Sequence, residues 1–200
     1  MARGPSEMGA TSDFTRPALV LIDLQQGFFE APELAAVRER MLSHCNQLAA
    51  AARASGVLVL NVRTVHQEDK STWTLKMLED DQGYLFEGTP QAANLQRLDL
   101  SLSIEVIKQR DSAFWNTGLR ALLSQHRATS IALAGVSLDT CIAATAADAF
   151  AANLPVALGI DATACAEPDM EQSTLKFMVE QHRQKLMDTR QLCQMFSSAH

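Results

Sequence analysis

Residues 131–150, IALAGVSLDTCIAATAADAF, constrain the fold more than any other stretch of the chain. An apolar run ends at Ala134-Gly135-Val136, a short polar turn carries the chain from Ser137 to Thr140, and Cys141 precedes an alanine-rich helical segment. A strand that stops at a glycine and restarts as a helix puts the first helical residues at the sheet's carboxyl edge, where open α/β sheets bind ligands. A cysteine there lies at the positive end of a helix dipole, which favours the thiolate that a nucleophile needs. Taken alone, Cys141 is more readily a small buried thiol in a turn, because free cysteines are among the most buried residues.

The same alternation recurs along the chain. ALVLI at 18–22 is a continuous apolar run of the kind found in parallel strands covered on both faces, and Asp23 ends it. Pro32 and Glu33 open a helix with Leu34, Val37, Met41, Cys45, Leu48 and Ala52 near helical spacing, and Gly56 closes it. Residues 57–62 make a second strand and residues 103–107 a third, ended by Lys108. Asn116 or Thr117 can cap a helix that turns Leu119, Leu122 and Leu123 inward. The fourth strand is 131–134, and Asn153 can end its helix in a left-handed turn. The fifth strand is 155–160, with Asp161 at its end. Pro168 opens a helix with an inner stripe of Leu175, Met178, Val179 and His182, and a short strand at 185–187 precedes a last helix from Thr189. Strands alternating with helices predict an α/β fold of three layers, α/β/α, around a doubly wound parallel sheet of about six strands.

The composition suits one domain over residues 17–200, since 200 residues with 47% apolar and 20% charged content can bury one good-sized core. Residues 1–16 read as a flexible arm. A polar excursion at about 67–103 loses periodicity but carries Trp73, Tyr84 and Phe86; it reads as a cover over the site or as a surface insertion packing its own aromatics. Seventeen basic against 23 acidic residues, a formal charge of −6, and no basic run argue against nucleic acid as a partner. No apolar run reaches membrane-spanning length and the first residues lack an apolar signal core, so neither a membrane nor a secretory route is expected. Cys45, Cys141, Cys165 and Cys193 are far apart with no CxxC, as expected for reduced thiols of a cytoplasmic protein.

Asp23, Lys108 and Cys141 each stand at the end of a parallel strand or just beyond it, and parallel strands bring their carboxyl ends to one edge. Singly, Asp23 could cap a turn and Lys108 could be a solvated strand end. Together they form a coherent set: a carboxylate to take a thiol proton, an ammonium to stabilise the anions, and a sulfur to attack a carbonyl carbon.

In this order ALVLIDLQQGF, VIKQRDSAFWNTGL and LAGVSLDTCIAATAADAF resemble the three motifs of the isochorismatase-like cysteine hydrolases, a family that includes nicotinamidases and N-carbamoylsarcosine amidases. The resemblance runs from Pro17 to about Phe196 and implies strand order 3-2-1-4-5-6 and a catalytic triad of Asp23, Lys108 and Cys141. It further implies a cis peptide between Val136 and Ser137, an oxyanion hole made by the N–H groups of Ser137 and Cys141, and a homodimer or homotetramer. The implied reaction is hydrolysis of a small-molecule amide or ureido compound through a Cys141 thioester, without a cofactor. Nicotinamidases of the family carry an Asp-x-His pair after the second strand; here the segment reads RTVHQEDKSTW, with His66 and Asp69 but no such pair, so no metal is expected. Gln25, Phe28, Trp73, Phe114 and Trp115 are the candidate substrate-pocket residues, with core packing as the alternative for the tryptophans. A vinyl-ether hydrolase of the isochorismatase type and a non-catalytic binding protein are the other readings. The cysteine favours acyl chemistry over the former, since vinyl-ether hydrolysis needs no thiol.

Overall fold

The computed structural model describes residues 14–199. Its centre is a six-stranded sheet in the order β3-β2-β1-β4-β5-β6, with every neighbouring pair parallel. The strands are β1 (Pro17–Ile22), β2 (Leu58–Thr64), β3 (Ile104–Lys108), β4 (Ser130–Gly135), β5 (Val156–Thr163) and β6 (Lys185–Met187). Helices α1 (Pro32–Ala54), α2 (Leu75–Glu79), α3 (Leu119–Gln125), α4 (Ala143–Ala151), α5 (Pro168–His182) and α6 (Thr189–Ser197) complete the chain.

Alternation along the buried strands divides the core in two. Leu19 and Leu21 of β1 pack with α1 and α6 on one face, around Met41, Leu48, Leu192 and Phe196. Ala18, Val20 and Ile22 face the other side, with Leu119 and Leu123 of α3, Ala146 and Ala149 of α4 and Met178 of α5. Both central strands, β1 and β4, are buried at every position, which is why their sequences are apolar without alternating. Switching from α1 on one face to α4 on the other leaves a crevice at the carboxyl ends of β1 and β4.

Several expectations need adjustment. Residues 1–13 of the expected arm lie outside the described residues, but Phe14 is buried in the α1 face of the core, so packing begins before Pro17. Strand β5 runs three residues past the expected end: its register with β4 shifts and pairing resumes at Gly135 and Thr163. Asp161 is therefore inside the strand, accepting from the backbone N–H of Thr189 at 2.9 Å and its hydroxyl at 2.8 Å, away from the crevice. Gly118 occupies the N-cap position of α3, while Thr117 Oγ1 accepts from the Leu119 N–H at 3.1 Å. Of the inner stripe expected on α5, only Met178 is buried, and Val179 is exposed. The adjoining β6 is three residues long, and α5 packs chiefly against α4 and the turn before it.

Candidate active site

The carboxyl ends of β1, β2 and β3 and the turn after β4 bring Asp23, Thr64, Lys108 and Cys141 together. Register places Ile22 opposite Val62 and Thr64 opposite Lys108, so the end of β2 stands between those of β1 and β3. Asp23 adopts a left-handed backbone (φ 55), a conformation aspartate tolerates better than most residues. Its N–H donates to Val62 O at 2.9 Å, and its carboxylate is fully buried. Gly135 (φ +123) permits β4 to close against β1: a Cβ there would lie 2.0 Å from the Ile22 carbonyl oxygen. The following peptide, Val136-Ser137, is cis. Residues Leu138–Ile142 then form a wide π-type turn, with the Ile142 N–H donating to Ser137 O at 3.0 Å, before α4 begins.

Lys108 joins the cluster. Its ammonium lies 2.8 Å from Asp23 Oδ2 and donates to Thr64 Oγ1 at 2.7 Å, to Cys141 Sγ at 3.2 Å and to Arg110 O at 3.2 Å. The other Asp23 oxygen, Oδ1, accepts from the Thr64 N–H at 3.0 Å and the Thr64 hydroxyl at 2.9 Å. Oδ2 forms the ion pair but meets no well-aligned hydrogen-bond donor, which leaves it able to receive a proton. Gln25 spends its whole amide on backbone: Nε2 donates to Thr64 O and Ala92 O, both at 2.8 Å, and Oε1 accepts from Thr64 N–H at 2.8 Å. It fixes Thr64, and through it Asp23, rather than lining the pocket as expected.

Burial pushes the Cys141 thiol well above its ordinary range, and the Asp23 carboxylate pushes further, with Lys108 opposing. At neutral pH the resting thiol keeps its proton. This departs from the expectation that a helix end favours the thiolate: α4 starts only at Ala143, and a helix terminus carries only about half a charge against the loss of water and a neighbouring carboxylate. Burial pulls Lys108 down, but Asp23 and the Cys141 sulfur more than reverse it, so the ammonium is held above the usual lysine range.

A cavity of about 960 Å³ opens on Cys141, with Phe28, Tyr84, Asp111 and Trp115 in its walls. The segment at 67–103 supplies much of that wall, including α2 residues Leu75 and Met77. Phe28 meets Tyr84 edge-on at 6.1 Å. Besides Gln25, two expected pocket residues lie elsewhere. Trp73 stacks on Phe86 at 6.1 Å and donates its indole N–H to Gln67 O at 2.8 Å, inside the covering segment. Phe114 packs against the α3–α4 side of the core. Thr64, Arg110 and Asp111 are not marked by the sequence as site residues, and Tyr84 is marked only as an aromatic of the covering segment. Thr64 carried one available signal, a polar side chain closing an apolar strand.

His66 Nδ1 lies 3.0 Å from Thr72 O; a carbonyl only accepts, so this nitrogen carries the proton. Burial lowers the pKa of His66, which keeps the ring neutral. Asp69 accepts from Ser71 within its own turn. Among the described residues no three His, Cys, Asp or Glu side chains group as a metal cluster requires.

Comparison with known proteins matches the isochorismatase domain to residues 17–191. A probable inactive nicotinamidase of Arabidopsis thaliana is 28% identical over 169 residues, covering 79% of this chain and 85% of that protein. The maleamate amidohydrolase of Pseudomonas putida is 34% identical over 147 residues, covering 67% of this chain and 65% of that enzyme. A solved cysteine hydrolase from Pseudomonas syringae pv. phaseolicola shares the fold with a TM-score of 0.83 at 22% identity, over 93% of this chain and 94% of that one. With a domain match across nearly all of its length, this chain belongs to the isochorismatase-like cysteine hydrolase family.

Proposed function

We propose that this protein is an amidohydrolase that cleaves the C–N bond of a small amide through a Cys141 thioester. The observation carrying the proposal is the buried contact set in which one ammonium, Lys108 Nζ, sits 2.8 Å from Asp23 Oδ2 and 3.2 Å from the Sγ of Cys141, a residue that lines the cavity. With the thiol protonated at rest, attack and deprotonation are coupled. Asp23 Oδ2 takes the thiol proton as the Sγ–C bond forms, and the carbonyl becomes a tetrahedral oxyanion. Asp23 returns that proton to the amide nitrogen, the C–N bond breaks, and ammonia or an amine leaves. Asp23 then deprotonates a water that attacks the thioester; the C–S bond breaks, and the thiolate recovers the proton as the acid departs. Lys108 stays charged throughout and offsets whichever neighbour is anionic.

The N–H groups of Ser137 and Cys141 are assigned to the oxyanion, where two aimed donors stabilise developing charge. Supporting this, the Ser137 N–H makes no hydrogen bond among the described residues. The Ser137 hydroxyl accepts from Ala166 N–H at 2.6 Å and donates to Asp139, which fixes this residue from the side. Ammonia release across primary amides and ureido compounds tests the reading: at least one should be turned over, and Cys141→Ala should abolish that turnover with its melting temperature within a few degrees of wild type. Activity retained in Cys141→Ala would sink it.

A further inference from the structure

We propose that the apolar walls of the cavity on Cys141 select the substrate, an uncharged amide whose non-reacting end is a bulky apolar group such as an alkyl chain or an aryl-alkyl group. This rests on the amidohydrolase reading for the reaction, though not for binding. Five large apolar side chains from four separate pieces of chain line this one cavity: Phe28 after β1, Leu75 and Met77 of α2, Tyr84 of the covering segment, and Trp115 between β3 and α3. Three of them stay at the surface, Leu75 with 71% of its area exposed, Trp115 with 65% and Tyr84 with 42%. Apolar residues exposed singly are ordinary, but several gathered around one opening mark a binding site. The cavity's volume of about 960 Å³ lies at the upper end of the roughly 300–1,000 Å³ of pockets that enclose drug-sized ligands, far more than the simplest amides fill.

These walls are fixed by the protein itself. The Trp115 N–H donates to Ser112 O at 3.3 Å, the Ser112 hydroxyl donates to Asp148 of α4, and the Ala113 N–H donates to Thr145 Oγ1 at 2.9 Å. Thr74 caps α2 by accepting from the Met77 N–H at 3.3 Å, and Met77 is buried. Tyr84 precedes the fully buried Leu85, whose carbonyl accepts from the His66 N–H at 3.0 Å, and its ring meets Phe28 edge-on. Walls held in this way lower the ordering cost of binding. Charge supplies no competing preference. Lys76 pairs with Asp80 one helical turn on, and Arg110 and Asp111 are of opposite sign and adjacent in sequence. Arg110 also donates to Thr72 O at 2.8 Å and to Gln109 O. A substrate ammonium or carboxylate would therefore give up its hydration for walls whose charges sum to zero.

Straight-chain primary amides from acetamide through butanamide and hexanamide to octanamide all release ammonia, so only the apolar end varies. Each is assayed for ammonia release with the wild type and titrated calorimetrically into Cys141→Ala. Affinity and kcat/KM should rise about two- to fourfold for each added methylene that is buried. The charged amides 6-aminohexanamide and adipamate, cationic and anionic at one chain length, should both fall below hexanamide. Leu75→Ser and Trp115→Ser should flatten the rise, and both variants should fold because these side chains are mostly exposed. A series flat in both binding and turnover, or a charged amide that outranks hexanamide, would overturn the proposal. A flat series in which Trp115→Ser also breaks up an oligomer would overturn it in favour of a second copy seated on the mouth. Binding that climbs with chain length without turnover of any amide would keep the apolar pocket and remove the amidohydrolase reading.

Discussion

Thr64 shows how one hydroxyl can hold a buried ion pair in register. It donates to Asp23 Oδ1 and accepts from Lys108 Nζ, so it satisfies both charged partners at once. Thr64→Val keeps the shape and removes the oxygen. Leaving two buried charged groups short of a partner costs about 1–3 kcal/mol, and each 1.4 kcal/mol is a factor of ten in rate. Steady-state kinetics on any established amide should therefore show kcat reduced about ten- to a hundredfold, with KM little changed because Thr64 lies beneath the cavity floor rather than in its lining. Wild-type kcat in this variant would mean that the proposed triad does not depend on the link. At this scale the sequence was readable where chemistry coincides with a strand end. Asp23, Lys108 and Cys141 are chemically capable groups where apolar runs stop. Gln25, by contrast, follows a strand closely yet faces backbone, and Tyr84 and Asp111 depend on loop paths that periodicity does not encode.

The element that shapes the site is the junction of β1, β4 and the turn after Gly135. Its glycine is required twice: φ +123 lies in the region that disfavours side chains, and a Cβ would meet the Ile22 carbonyl, part of a buried strand that has no room to move. Gly135→Ala should cost about 3 kcal/mol or more and lower the melting temperature by many degrees, since it adds backbone strain to an overpacked contact. An unchanged melting temperature would show that β1 and β4 can separate without penalty. The buried strands were legible because a parallel strand covered on both faces must be apolar throughout. Their ends were less so, since β5 continues past Ile160 through a register shift that no local pattern marks. The exposed outer side of α5 was misread for a related reason: its apolar residues follow helical spacing, but the sheet beneath narrows to the three residues of β6.

The whole molecule is a sheet covered on both faces, and its buried thiols make its stability depend on pH. Burial lifts Cys45 from the ordinary 9.0 to about 12, with the nearby Asp161 charge adding to the rise, and Cys141 is also raised. A thiol with a folded pKa above its unfolded one binds its proton more tightly in the folded protein. Its contribution is fully present below about pH 9 and is lost as pH climbs toward 12. For Cys45 this amounts to roughly 3–4 kcal/mol across the interval, at about 1.4 kcal/mol per pH unit. Chemical denaturation between pH 7.5 and 11 should show stability level at first and declining above pH 9, with a shallower decline in Cys45→Ala; a level profile to pH 11 would contradict this. The architecture and its α/β layering could be read from the alternation of runs and helices, while the path of residues 67–103 over the site could not, because its fold rests on irregular contacts such as the bridges Gln25–Asn94 and His66–Phe86. Acyl transfer through Cys141 is the claim that joins these scales, and partitioning of the acyl group tests it most directly. Two amides sharing one acyl group but releasing different amines are hydrolysed in the presence of hydroxylamine, and hydroxamate and free acid are measured. A common Cys141 thioester predicts the same hydroxamate-to-acid ratio from both substrates; a ratio that changes with the departing amine would contradict it.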